Sequence, residues 1–187
     1  MPFDHFDVIA GVYNRTAQFF APQALLDMLD LPFDGLLLDA GGGTGRVAES
    51  LRKMVRQVFV ADISRGMLRH ASEKNLASTC ASVENLPFAS GVINRIIMVD
   101  TLHHVFDQQQ AILELWRVLA QGGRIIIIEP DIHKFAVKVI AFIEKILLMR
   151  SHFLPAEKIA ALFADLNPLI TIVSDDRNVW ICAEKVR

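Results

Sequence analysis

Apolar residues in this chain gather into short continuous runs separated by stretches of helical period. Leu36-Leu37-Leu38, Gln57-Val58-Phe59-Val60-Ala61, Val92 to Val99 and Arg124-Ile125-Ile126-Ile127-Ile128 are the runs. They lack a regular polar alternate face, so each reads as a strand covered on both sides. Between them lie amphipathic segments, Arg46 to Arg56, Arg65 to Asn75 and Gln108 to Leu119, which predict helices. A helix over Ala21 to Leu31 precedes the first run and is ended by Pro32 and the Asp34-Gly35 turn. Ahead of it, Phe3 to Tyr13 reads as a short helical or irregular arm. Strands alternating with helices predict a parallel α/β sheet. The tail differs: Leu169 to Ser174 and Val179 to Glu184 are joined only by Asp175-Asp176-Arg177-Asn178. So short a connection makes an antiparallel hairpin, and the parallel sheet is expected to end in a reversed pair.

Composition narrows what this sheet serves. At 187 residues and 52% hydrophobic, the chain fits one globular domain with a sizeable core. Nineteen basic and 21 acidic residues give a net charge of −2, and they are scattered, so no basic footprint for nucleic acid is present. The two cysteines, Cys80 and Cys182, form no CxxC pair, which argues against structural zinc and for a reducing, cytoplasmic setting. MPFDHFD is acidic where a signal peptide is basic, and no apolar stretch approaches the ~18 residues a transmembrane helix needs. The expectation is a soluble protein.

The sharpest local signal is Asp39-Ala40-Gly41-Gly42-Gly43-Thr44-Gly45, after a strand and before a helix. Glycines there let the backbone turn tightly and lie against a ligand. Asp62 closes the next strand, 21 residues beyond Gly41, and a carboxylate at that spacing suits a pair of ribose hydroxyls. A nucleotide-like ligand follows, but not its identity, since Gly43, Gly45 and Ala48 also satisfy the GxGxxG/A dinucleotide pattern.

The wider order of motifs is more specific. LLLDAGGGTGR, VFVADISRGML, SVENLPF, INRIIMVDTLHHV and ELWRVLAQGGRIIIIEP occur in the sequence expected of class I S-adenosylmethionine-dependent methyltransferases. Together they resemble the branch (methyltransferase type 11) that holds the ubiquinone/menaquinone C-methyltransferases. The resemblance covers roughly Phe6 to Pro130 closely and the hairpin more loosely. It implies a single-domain, Rossmann-like, doubly wound α/β sheet of about seven strands, mostly parallel, with an antiparallel C-terminal β-hairpin. Residues 1–34 would form an N-terminal helical arm, 35–130 the cofactor-binding core, and 131–187 acceptor-side helices and the closing hairpin.

The resemblance also implies roles. Asp39, Ala40, Gly41, Gly43 and Gly45 would line the methionine portion of S-adenosylmethionine, whose product is S-adenosylhomocysteine. Asp62 would hold the ribose, with Ile63 and Met67 beside the adenine and Ser82 and Val83 at its edge. Val99, Asp100 and Thr101 would meet the cofactor's amino group, and Tyr13 would close over it. The chain departs from the family's pattern at Ser82, where Asp is common, at Ile93-Asn94 in place of Phe-Asp, and at Gln121 in place of Pro.

Methyl transfer from a sulfonium depends mainly on in-line positioning, and a base is needed only when the acceptor must lose a proton. His104 and His103, just past Asp100, are the candidate bases, His104 slightly ahead; each has the alternative of packing or capping the loop. His5, His70, His133 and His152 read as surface residues. Asp100 either touches the cofactor's ammonium or serves the fold. Phe135 to Met149, FAVKVIAFIEKILLM, reads as a helix with Lys138, Glu144 and Lys145 on a narrow stripe. Its wide apolar face suits the core, a hydrophobic acceptor such as a quinone, a second subunit, or weak contact with a membrane surface. Three activities stay open. They are methyl transfer to a small-molecule acceptor, nicotinamide-dependent oxidoreduction, and non-catalytic binding of S-adenosylmethionine. The one tyrosine, Tyr13, lies outside any YxxxK motif, which counts against the short-chain form of the second.

Overall fold

The computed structural model describes residues 22–133 and 152–186, and the fold is built from these. The elements in chain order are α1 (Gln23–Leu29), β1 (Phe33–Ala40), α2 (Arg46–Leu51), β2 (Val55–Asp62), α3 (Arg65–Glu73), β3 (Ala77–Cys80) and β4 (Ile93–Val99). A 3₁₀ turn (Leu102–His104) leads to α4 (Gln108–Val118), β5 (Leu119–Pro130), α5 (Ala156–Ala161), β6 (Leu169–Ser174) and β7 (Asn178–Glu184). Seven strands form one sheet in the order β3-β2-β1-β4-β5-β7-β6. β1 to β5 run parallel, while β7 pairs antiparallel with both β5 and β6. The alternation of runs and helical segments predicts this architecture, and the short polar turn predicts its reversed hairpin.

The apolar runs lack a polar face because the sheet is covered on both sides. Leu38, Ile96, Ile125 and Ile127 pack with Ile112 and Leu115 of α4 and Ile159 of α5. Their neighbours Leu37, Ile97, Ile126 and Ile128 point the other way, against Leu25 and Leu29 of α1, Val47 and Leu51 of α2, and Leu68 of α3. Alternate side chains of one strand thus enter opposite cores. Each fully buried Leu or Ile contributes about 1.5–3 kcal/mol, so the isoleucine run of β5 anchors both layers. Ser64 and Asp107 cap α3 and α4 by accepting the amides of Met67 at 3.2 Å and Gln110 at 2.9 Å.

Several boundaries differ from those the pattern predicts. α2 stops at Leu51 rather than Arg56, because Val55 is drawn into parallel pairing with Phe33 and begins β2. β5 starts at Leu119, not Arg124, and Gly122-Gly123 lie in a register irregularity between Leu119 and Arg124. β3 has no apolar run: Ala77-Ser78-Thr79-Cys80 is a short edge strand of small residues with alternating exposure. The arm with Tyr13 and the apolar segment Phe135 to Met149 lie outside the described residues. Among the described residues, no helix is long and apolar enough to cross a membrane.

Candidate functional site

A cavity of about 580 Å³ opens at the carboxyl ends of β1, β2 and β4. The chain moves outward from β1 to β2 on one side and to β4 on the other, and the crevice at such a reversal is where open α/β sheets bind ligands.

The glycine loop forms one wall. Gly41, Gly43 and Gly45 all have positive φ, at 70°, 53° and 72°. Their surroundings separate them. A Cβ on Gly41 would lie 2.1 Å from Thr101 Cγ2, and one on Gly45 2.4 Å from Leu76 Cδ1, so both are glycine because protein packs there. At Gly43 the nearest atoms are Asp62 Oδ2 at 3.8 Å and Met67 Sδ at 3.9 Å, and this is the member that looks onto open space. Gly41 also borders the cavity, whereas Gly45 and Ala40 do not: Gly45 leads into α2, and Ala40 is core. Asp39 borders the cavity with its carboxyl buried beneath Gly42, accepting the Ala48 amide at 3.1 Å. Burial raises its pKa from 3.8 to about 7.

Asp62 is pre-oriented. Its Oδ2 accepts the Gly43 amide and its Oδ1 the Ser64 amide, each at 2.8 Å, so the acid that ends β2 also fixes the loop that ends β1. Ile63 lies 70% exposed beside it, Met67 is buried behind, and Ser82 and Val83 close that end. Ser82 donates its hydroxyl to Glu84 Oε2 at 2.9 Å, while Glu84 Oε1 accepts the Asp107 amide at 2.6 Å. A Ser–Glu pair tied to α4 therefore stands where the family often has a single Asp.

At the other end β4 delivers Val99, Asp100 and Thr101 to the cavity. Asp100 has φ of 50°, and its carboxylate lies 3.5 Å from the Arg46 guanidinium across the cleft. Burial, then nearby Glu129, raises the Asp100 pKa. Thr101 Oγ1 donates to the Gly41 carbonyl at 3.1 Å, joining the β1 and β4 ends. Beyond them His103, His104, Val105, Phe106, Pro130 and Phe153 line a more apolar chamber, with Phe106 87% exposed at its mouth. His103 Nδ1 lies 2.5 Å from Glu129 Oε2, and its ring stacks on Phe153 with centroids 4.2 Å apart. Burial, then His103, lowers the His104 pKa from 6.5 to about 4. That is an acidic displacement from the near-neutral titration expected of an unperturbed imidazole.

Thirteen residues named from sequence line this cavity: Asp39, Gly41, Gly43, Asp62, Ile63, Met67, Ser82, Val83, Val99, Asp100, Thr101, His103 and His104. Thr44, Arg46, Glu84, Glu129, Phe106 and Phe153 were not singled out. The first two lie inside the glycine motif and Glu129 inside IIIIEP, but their relevance comes from where strand ends meet. Among the described residues, one buried side-chain polar atom has no partner, Thr44 Oγ1, on a cavity-lining residue only 2% exposed. No group of described His, Cys, Asp and Glu residues is arranged to hold a metal ion.

Comparison with known proteins adds identity to this geometry. Residues 38–127 match the family of the methyltransferase domain. The chain is 31% identical over 133 residues to a demethylmenaquinone methyltransferase of Thermobifida fusca, covering 67% of this chain and 56% of that protein. It is 33% identical over 104 residues to a ubiquinone/menaquinone biosynthesis C-methyltransferase of Klebsiella pneumoniae, covering 50% of this chain and 41% of the relative. The chain thus spans about half the length of these relatives. An S-adenosylmethionine-dependent methyltransferase from Thermotoga maritima superposes with a TM-score of 0.77 at 22% identity, covering 96% of this chain and 98% of that one. The geranyl diphosphate C-methyltransferase of Streptomyces coelicolor gives 0.72 at 18%, covering 88% and 76%.

Residues 38–127, just under half of the chain, thus resemble a methyltransferase domain, and the 31% identical relative agrees with that match. Over the aligned residues the chain is similar to relatives named for menaquinone and ubiquinone methylation. Of the three activities left open by sequence, these similarities favour methyl transfer. The cavity fits the cofactor: an unpartnered hydroxyl and a guanidinium lie near the glycine loop, a fixed carboxylate at mid-cleft, and an exposed apolar shelf beyond.

Proposed function

We propose that the protein transfers the methyl group of S-adenosylmethionine to a small, apolar or quinone-like acceptor. The observation that carries this reading is the convergence on one cavity of the open Gly43 backbone, the Asp62 carboxylate and the unpartnered Thr44 hydroxyl. Asp62 takes the ribose hydroxyls, with Ile63, Met67 and Val83 against the adenine. Thr44 and Arg46 face the amino-acid carboxylate, and Asp100 the ammonium. Bound there, the cofactor supplies an electrophilic methyl group.

The protein's own part is positioning, proton handling and exclusion of water. The chamber of Val105, Phe106, Pro130 and Phe153 suits a planar apolar acceptor, in keeping with relatives named for quinone methylation. Of the two histidines we favour His103 as base, reversing the order suggested by sequence. The protonated form of His104 loses its proton at about pH 4, which makes its neutral ring a weak acceptor. The described cysteines Cys80 and Cys182 are free thiols, and they support a reducing, cytoplasmic setting.

Thermal melting with S-adenosylhomocysteine, NAD and NADP side by side tests this reading. S-adenosylhomocysteine at 100 times its dissociation constant should stabilise by about 2.7 kcal/mol, and the nicotinamides should not. Asp62→Ala should weaken S-adenosylhomocysteine about 100-fold or more, since hydrogen bonds to a charged group contribute roughly 1.5–3 kcal/mol each. Stabilisation by NAD alone would reject the assignment. Binding without turnover across an acceptor panel would leave a cofactor-binding module.

A further inference from the structure

We infer that Lys74 is a positioning residue: from behind the glycine loop it fixes Thr44, and through Thr44 the grip on the cofactor's amino-acid tail. This rests on the methyltransferase reading above and adds to it a residue that lies outside the cavity wall.

The glycine loop has little of its own to hold it. Thr44 stands between Gly43 and Gly45, both in the left-handed region at φ of 53° and 72°. Neighbours without a Cβ leave the peptide planes on either side of Thr44 free to turn. The helix that follows, α2, has no side-chain cap at its start. Side chains from other elements hold the loop instead. Thr101 Oγ1 donates to the Gly41 carbonyl at 3.1 Å, Asp62 accepts the Gly43 amide at 2.8 Å, and Lys74 Nζ donates to the Thr44 carbonyl at 3.0 Å. Of these contacts, the last alone reaches Thr44. The same peptide gives its Gly45 N–H to the Gly42 carbonyl at 2.9 Å, so both edges of the Thr44–Gly45 plane are tied. A tied plane sets where the Thr44 side chain points, and its hydroxyl is the buried, unpartnered group bordering the cavity.

Lys74 is itself well anchored. It ends α3, with its amide bonded to the Ala71 carbonyl at 3.2 Å and its own carbonyl accepting Arg52 Nη1 at 3.0 Å. Leu76, two residues on, is the side chain that packs on Gly45. The Lys74 side chain is 19% exposed, and its other charged neighbour is Glu49 of α2 at 3.5 Å, half exposed. An ion pair of that kind holds little by itself. A charged donor turned onto a main-chain carbonyl makes one of the stronger hydrogen bonds. The two ends of α3 thus serve different parts of the site. Ser64, before its first turn, donates its amide to Asp62 Oδ1, and Lys74, after its last, holds Thr44. A loop ordered before the ligand arrives spares the complex that ordering cost. Loss of the Lys74 bond should therefore be felt where the amino-acid tail sits and not where the nucleoside sits.

Calorimetry with two probes reads this split. S-adenosylhomocysteine carries the amino-acid tail, and methylthioadenosine has the same nucleoside and thioether without it. Lys74→Met keeps the stem and removes the donor. It should weaken S-adenosylhomocysteine about tenfold, the scale of one lost hydrogen bond, and leave methylthioadenosine within about twofold. Glu49→Gln, which removes only the ion-pair partner, should change neither probe. In a Thr44→Val background, Lys74→Met should cost less than about threefold more, because its effect runs through Thr44. Should Lys74→Met not fold, Lys74→Gln, uncharged and one bond shorter, is measured with the same expectation. Equal loss for both probes, an unchanged S-adenosylhomocysteine affinity in Lys74→Met, or an equal loss in Glu49→Gln overturns the role of Lys74. Failure of the wild-type protein to bind S-adenosylhomocysteine removes the methyltransferase reading instead.

Discussion

The two ends of the same sheet handle polar groups in opposite ways. Near the amino ends of β4 and β5, Arg95 and Arg124 are register neighbours, two like charges side by side. Arg95, its side chain only 4% exposed, donates to the Leu29 carbonyl at 2.5 Å, the Asn94 carbonyl at 3.0 Å and Asp30 at 3.2 Å, and lies over the Phe33 ring. Arg124 reaches Glu184 at 3.1 Å and the Met28 carbonyl at 3.2 Å. These partners come from α1, β1 and β7 and close that end. At the carboxyl ends, positive-φ backbone at Gly41, Gly43 and Asp100 surrounds a cavity, and the Thr44 hydroxyl has no protein partner. One end is satisfied by the protein itself; the other leaves groups to be satisfied by something else. Stability and recognition are thus separated along the strands.

That separation can be tested by crossed effects. Arg95→Met should lower stability by about 2–3 kcal/mol in urea unfolding, because it strands two main-chain carbonyls, yet leave S-adenosylhomocysteine affinity unchanged. Thr44→Val should do the reverse, weakening S-adenosylhomocysteine about tenfold in calorimetry with no loss of urea midpoint, since the hydroxyl it removes is buried and unpartnered. If both variants lose affinity and stability together, the division fails.

A third effect concerns pH, where opposing slopes largely cancel in the wild-type protein. Asp39 titrates at about 7 instead of 3.8, so the stability it contributes is full below pH 3.8 and is lost as pH rises through 7. Asp100, also raised, acts in the same sense. His104 titrates at about 4 instead of 6.5, so its contribution is present above 6.5 and lost as pH falls through 4. Between those limits the slopes oppose. Urea midpoints of Asp39→Asn should rise with pH from 4 to 6.5, and those of His104→Gln should fall. Parallel profiles for both variants and the wild-type protein would show that neither group is displaced.

The parallel core was legible because a two-faced strand leaves an unmistakable apolar run, as Ile125 to Ile128 does. β3 was not, since Ala77 to Cys80 bury little and owe their pairing to β2. Much of the cavity could be read from the glycine loop and Asp62, whose spacing reflects adjacent strand ends. Within the loop, sequence could not separate Gly43, which faces the cavity, from Gly45, which packs on Leu76. Nor could it reveal the contact of Glu129 with His103, which joins residues 26 positions apart through the pairing of β4 and β5.

The insertion of β7 between β5 and β6 has a cost during synthesis. The right-hand neighbour of Ile125-Ile126-Ile127-Ile128 lies beyond residues 131–177, so at translation rates of about 5–20 residues per second the ribosome needs several seconds to supply it. Throughout that delay an uncharged, strongly strand-forming segment has a bare hydrogen-bonding edge, the form most prone to pair with other nascent chains. A fragment ending before Val179 should therefore precipitate on expression, and the full chain should gain from holdase chaperones that shield that edge.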